Sequence, residues 1–214
     1  MSRLSESRLH EALRSHARAD WPALPGRTNH RRAGVLVPLT WSPEPECLVT
    51  LRPAHLRRHA SEIAFPGGRP EPDDVDLEAT ARREAREEVG IAQARVLGRL
   101  SSTPLYTSDF RLEPFVAAVP DGPFTLDPVE VAELYRLPLL ELLDRPSLHG
   151  IAWESDGHQG VSPVFEVGPH VMYGATAHVF LELLQVAARA LGQAVPPMAT
   201  GRYAWSDLVA FREG

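Results

Sequence analysis

The chain has 214 residues, 43% of them hydrophobic, and a formal net charge of −6. This length supports one sizeable core, and the composition excludes a disordered chain. The acidic balance argues against nucleic-acid partners, no apolar run approaches the roughly 20 residues of a bilayer span, and the lone Cys47 excludes an internal disulfide framework or multi-cysteine zinc site.

Ser5 to Arg18 reads as a helix, with Leu9, Ala12 and Leu13 near helical spacing and Ser5 or Ser7 able to cap it. Trp21 to Arg32 holds Pro22, Pro25 and Gly26 and reads as a connector. Ala33 to Leu39 and Cys47 to Leu51 are short apolar runs that predict a strand pair, with Cys47 a buried structural thiol. Phe65-Pro66-Gly67-Gly68 breaks the chain, and Leu77 to Val89 follows as a helix closed by Gly90. Ala94 to Leu100 and Arg111 to Val119 are further strands, the second alternating Leu112, Pro114, Val116 and Ala118 against Arg111, Glu113 and Phe115. Leu139 to Leu143 forms a short helix, and His149 to Glu154 and Val161 to Val167 are strand-like. Tyr173 to Leu191 is the second strong helix, carrying the apolar stripe Ala177, Phe180, Leu181, Leu184, Ala188 and Leu191. No internal repeat is present. This order predicts an α/β or α+β domain with a mixed sheet between helices. Residues 1–29 are read as N-terminal helix and connector, 30–192 as the main domain, and 193–214 as a tail packed on it. The opening residues hold no apolar signal core and the closing ones match no targeting tail, so a cytoplasmic protein is expected.

The chemistry lies in the run Arg83-Glu84-Ala85-Arg86-Glu87-Glu88. At about 100° per residue, Glu84, Glu87 and Glu88 share one helix face, while Arg82, Arg83 and Arg86 project mainly away from it. Like charges at i and i+4 repel, and a cation on that face repays the cost. Mg²⁺, an oxygen-seeking ion that keeps several waters, suits such a site. The same spacing also fits a solvated acidic face with Glu78–Arg82 and Arg83–Glu87 as ordinary pairs. The Gly67-Gly68 turn, which lets backbone approach a ligand closely, favours the metal site.

Gly68 through Ile91, ending Arg83-Glu84-Ala85-Arg86-Glu87-Glu88-Val89-Gly90-Ile91, resembles the Nudix box, with one extra residue between Gly68 and the Arg-Glu pair. The acidic residue usual early in the box is represented by the run Glu71, Asp73, Asp74 and Asp76. The resemblance implies a Nudix-type α/β/α sandwich. It implies that Glu84, Glu87 and Glu88, with the Gly68 carbonyl, bind Mg²⁺ or Mn²⁺, and that Arg83 orients a glutamate. Leu48-Val49-Thr50-Leu51-Arg52 and Leu56 through Gly68 resemble the coenzyme A pyrophosphatase branch, as do Thr103-Pro104, Glu113-Pro114, Val129-Glu130-Val131 and Gly174-Ala175-Thr176-Ala177. The likeness spans about residues 30 to 190. Ser61 and Asp109 stand where that branch usually has glycine, and Tyr173 where tryptophan is common.

The implied reaction is attack of water on a nucleoside-linked diphosphate, giving 3′,5′-ADP and (acyl-)4′-phosphopantetheine from coenzyme A compounds. The alternatives are ADP-ribose, dinucleotide or nucleoside triphosphate hydrolysis, or a non-catalytic nucleotide sensor. Glu87 and Glu130 are candidates for the base, with Glu130 also a candidate ligand. Arg52, Arg57 and His59 are candidate substrate-phosphate contacts, read alternatively as a basic surface patch. The expected partner is a small nucleotide of the coenzyme A class, with neither nucleic acid nor membrane, and a homodimer is compatible with the sequence.

Overall fold

β-Branched and apolar runs in the first half of the chain build the central sheet in the computed structural model, which describes residues 4–56, 59–155 and 157–209. The elements in order are α1 (Glu6–Arg14), β1 (Arg31–Thr40), β2 (Glu46–Leu51), β3 (Ile63–Ala64), β4 (Gly67–Gly68), α2 (Leu77–Val89), β5 (Arg95–Arg99), β6 (Thr103–Pro104) and β7 (Phe110–Ala118). There follow β8 (Glu133–Pro138), α3 (Leu139–Leu143), β9 (Leu148–Ser155), β10 (His158–Val167), β11 (His170–Met172), α4 (Gly174–Leu191), β12 (Met198–Ala199) and α5 (Trp205–Val209).

The main sheet runs β3-β2-β1-β7-β5, with β4 beside β1, β6 beside β7 and β8 beside β2. It is mixed: β1 and β7 pair in parallel from Arg31↔Phe110 to Leu39↔Ala118, and the other pairs are antiparallel. A second sheet orders β11-β10-β9-β12. The predicted pair β1 and β2 joins at Leu39↔Cys47 and Thr40↔Glu46. Farther along, β4 takes over as the neighbour of β1 (Gly34↔Gly68), while β3 pairs with β2 (Thr50↔Ala64). Residues 63–68 therefore fill a splay between two strands, and the glutamate helix lies against that filling.

Each central strand feeds two cores, as alternate side chains of a strand must when both faces are covered. Leu36, Leu48, Phe115 and Ala117 pack with Ala81, Ala85 and Val89 of α2. Val35, Val37, Val49 and Val116 face the opposite way, into the larger core with α1, α3 and α4. This is the expected α/β/α sandwich. The β7 alternation accordingly separates one core from another rather than core from solvent, and Glu113 to Ala117 are all buried. The small residues of α2 let it lie low on β1: a Cβ on Gly34 would collide with Leu77 O and sit 3.1 Å from Ala81 N.

Helix α1 ends at Arg14, short of the predicted Arg18, because the Ser15 hydroxyl turns back to Glu11 O (3.1 Å) and Ala12 O (3.2 Å). His16 then leaves the helix path to meet Glu182 of α4 at 2.6 Å. Helix α2 has the predicted bounds and its Gly90 cap in the left-handed region at φ 72°. Strand β8 was not anticipated: it pairs with β2 from Glu46↔Pro138 to Leu51↔Glu133, yet only Leu137 in it is fully buried, so its sequence lacks a strong apolar signature. Cys47 is buried, and burial pushes its thiol pKa well up. Among the described residues, no helix is long and apolar enough to cross a membrane.

Candidate functional site

The glutamates of α2 are brought to the splayed end of the sheet by how the helix begins and packs. Asp76 caps its first turn, accepting the Ala79 N–H at 2.8 Å, and the Ala81, Ala85 and Val89 stripe seats it on the sheet. Glu88 lies beside that stripe and is carried under with it, to 4% exposure. A solvated acidic face does not describe this residue, although the surface pairs Glu78–Arg82 (2.8 Å) and Arg83–Glu87 (2.9 Å) both form.

Carboxylate oxygens of Glu84, Glu88 and Glu130 lie within 4.8 Å of one another. Glu130 comes from a turn that docks on the end of α2, where Asp127 N–H donates to Glu88 O (3.0 Å) and Thr125 N–H to Val89 O (3.2 Å). Glu87 is not in this cluster. On a helix Glu88 stands about 40° to one side of Glu84 and Glu87 about 60° to the other. The cluster forms on the Glu88 side, while the Glu87 side chain stays 56% exposed and meets Arg83.

Burial first, then the charges of Glu84 and Glu130, push the Glu88 pKa up to about 8, opposed by the Arg52 charge and the Gly67 N–H, which Oε2 accepts at 3.3 Å. Burial also raises Glu84, against the pull of Arg83. Three crowded carboxylates, one held in low dielectric, fit an oxygen-seeking divalent cation. Gly68 is part of the same arrangement, since a Cβ there would overlap the Glu84 carboxylate and stand 2.6 Å from its Cδ.

Arg83 does not project away, as helix geometry alone suggested. Its long side chain folds back to Asp74 Oδ2 (3.1 Å), Glu84 Oε1 (3.0 Å), Glu87 Oε2 (2.9 Å) and the Arg69 carbonyl (3.0 Å). Its hydrogen bonds to Asp74 hold that carboxyl down at about 2, and Asp74 also accepts the Thr80 hydroxyl and the Glu71 N–H. Asp74 therefore anchors Arg83. Its signal in the sequence was the acidic run after Gly68, which did not distinguish it from its neighbours.

Of the candidate substrate contacts, Arg52 is placed near Glu88, on whose carboxyl its charge acts. His59 Nδ1 pairs with Glu62 Oε2 at 2.8 Å, and Arg57 lies outside the described residues. The turn carrying His59 is tied to β2 by Arg52 N–H to Glu62 O (3.0 Å) and Ser61 N–H to Arg52 O (3.1 Å). Ser61 sits at φ 56°, a left-handed conformation open to glycine at little cost. Ser61→Gly is expected to raise unfolding stability by about 0.5–1 kcal/mol. Urea denaturation checks this, and a loss of stability would show that the serine side chain contributes more than its backbone costs. Asp109, the other departure, accepts the Thr28 N–H at 2.9 Å and so fastens the connector.

The NUDIX domain family matches residues 30–155. The Nudix hydrolase NudL of Yersinia pestis (strain Pestoides F), itself described as uncharacterised, is 40% identical over 162 residues, covering 73% of this chain and 79% of NudL. NudL of Yersinia pseudotuberculosis (serotype O:1b, strain IP 31758) matches to the same extent. The crystal structure of a NUDIX hydrolase from Nitrosomonas europaea has a TM-score of 0.51 at 16% identity, covering 89% of this chain and 84% of that one, a likeness of fold.

Proposed function

Because the chain belongs to the Nudix hydrolases, enzymes that cleave diphosphate linkages, we propose that its substrates are coenzyme A and acyl-coenzyme A, cut to 3′,5′-ADP and (acyl-)4′-phosphopantetheine. What supports this reading is where the stretch that resembles the coenzyme A branch lies relative to the carboxylates. Its described residues supply Arg52 beside Glu88, the turn hydrogen-bonded to it, and the Gly67–Gly68 backbone against the carboxylates.

Glu84, Glu88 and Glu130 would hold a divalent ion together with the Gly68 carbonyl, and Glu87, one residue along the helix from Glu88, would serve the same site. A bound Mg²⁺ or Mn²⁺ neutralises charge on the phosphoryl oxygens and lowers the pKa of water. Arg83 fixes Glu84 and Glu87, and through its hydrogen bond to the Arg69 carbonyl it also fixes the backbone beside Gly68. Glu87, open to solvent and held through Oε2 by Arg83, accepts the proton of the attacking water on its other carboxylate oxygen. Arg52 and His59, with Arg57, meet the substrate phosphates.

Product analysis on coenzyme A, ADP-ribose and NADH side by side with Mn²⁺ tests the reading. Release of 3′,5′-ADP from coenzyme A in preference to cleavage of the other two is expected. Turnover of ADP-ribose well above coenzyme A overturns the substrate assignment and leaves the reaction class intact.

A further inference from the structure

At the other side of Gly68 the side chains take a different character. Arg69 follows it directly, and its guanidinium lies 4.9 Å from the centre of the Phe110 ring. Arg31, the register partner of Phe110 across β1 and β7, places its own guanidinium 4.3 Å from the same ring. Two cations thus lie against one aromatic ring, both exposed, and among the described residues neither has a carboxylate partner. Their neighbours differ. Arg32 and Arg99 share the buried Glu113, at 3.6 and 3.0 Å. Two guanidiniums held to one ring with no acid beside them repel each other, and an anion between them relieves that repulsion. Among the described residues neither guanidinium donates a hydrogen bond, so their N–H groups are available for the forked contacts that phosphate oxygens accept.

We infer that Arg31 and Arg69, held against the Phe110 ring, form a subsite for a phosphate monoester that the substrate carries apart from the diphosphate being cut. Arg69 is tied to the carboxylate cluster from two directions: Gly68 touches Glu84, and the Arg69 carbonyl is held by Arg83 at 3.0 Å. A phosphate bound there is registered against the reacting diphosphate rather than attracted at large. In a coenzyme A-class substrate that group is the ribose 3′-phosphate, which one sugar separates from the diphosphate. This last identification rests on the coenzyme A reading above.

The experiment compares coenzyme A with dephospho-coenzyme A, and inhibition by 3′,5′-ADP with inhibition by 5′-AMP, in the wild type and in R31Q/R69Q. The wild type is expected to prefer coenzyme A by about tenfold in kcat/KM, through KM, and to bind 3′,5′-ADP tighter than 5′-AMP by a similar factor. In R31Q/R69Q both ratios should fall toward one. Equal inhibition by the two nucleotides in the wild type overturns the subsite, as does a double variant that keeps both ratios. If the wild type cuts ADP-ribose and spares coenzyme A, the substrate reading fails, and the two inhibitors, assayed against ADP-ribose hydrolysis, still decide the subsite. A double variant that does not fold leaves the wild-type comparison of the two nucleotides as the deciding measurement.

Discussion

Glu88→Gln is expected to lower diphosphatase activity about 10²–10³-fold while making the metal-free protein more stable at pH 8. The two effects have one origin. Glu88 is 4% exposed and its pKa is pushed up to about 8 by burial and by the charges of Glu84 and Glu130. A carboxylate in that position must give up its proton to hold a cation, and doing so without one is unfavourable. The amide keeps the shape and the neutral charge but cannot supply the anion.

The pH dependence follows with a definite sign. The folded pKa of Glu88, about 8, exceeds its ordinary value of 4.5, so the folded protein binds the proton more tightly than the unfolded chain does. The associated stability is fully present below about pH 4.5 and is lost as pH rises through about 8. Asp74 acts in a separate window. Its carboxyl is held at about 2 from an ordinary 3.8, so its contribution is present above 3.8 and lost as pH falls through about 2. Between pH 5 and 8 the melting temperature of the metal-free wild type should therefore fall, and that of Glu88→Gln should fall less. Added Mn²⁺ should raise the wild-type melting temperature more at pH 8 than at pH 6, since less proton has to be displaced, and should leave the variant nearly unmoved. Melting curves at several pH values, with and without Mn²⁺, measure all three. A variant that still gains stability from Mn²⁺ as the wild type does would remove Glu88 from the ion site.

How far the site could be read from the sequence depended on whether its contacts were local. Helix α2 was legible because its glycine stop follows the run directly, and the i, i+4 relation of Glu84 and Glu88 is fixed by helical geometry. Glu130 is different. It reaches the cluster because the 125–131 segment hydrogen-bonds to the backbone at Val89 and Glu88, contacts made some forty residues away in sequence that no periodicity encodes. The separation of Glu87 from Glu88 has the same cause: helix spacing puts both near Glu84, and only the docked loop selects the side on which the carboxylates meet. Arg83 was misplaced by reasoning from Cβ directions, because a side chain of that length can return to a face its Cβ leaves. Strand β8 escaped notice for lack of burial, its order coming from pairing with β2.

Gly68→Ala separates the role of this backbone from that of the fold. The added Cβ would overlap the Glu84 carboxylate, standing 2.6 Å from Cδ and 3.0 Å from Oε2. What it meets is the far end of a flexible side chain, so Glu84 can swing aside at small cost in stability, within about 1 kcal/mol. Once displaced, Glu84 no longer faces Glu88 and Glu130, and its ion pair with Arg83 is lost with it. Affinity for Mn²⁺ should drop about 10–100-fold, with activity falling in parallel at low metal and recovering in part at high metal. Glu88→Gln should show no such recovery, because there the ligand is gone rather than moved. Titration of activity against Mn²⁺ in the two variants makes the comparison. A Gly68→Ala enzyme with wild-type metal dependence would mean that Glu84 finds its place without the room this glycine leaves, and that the close approach serves packing alone.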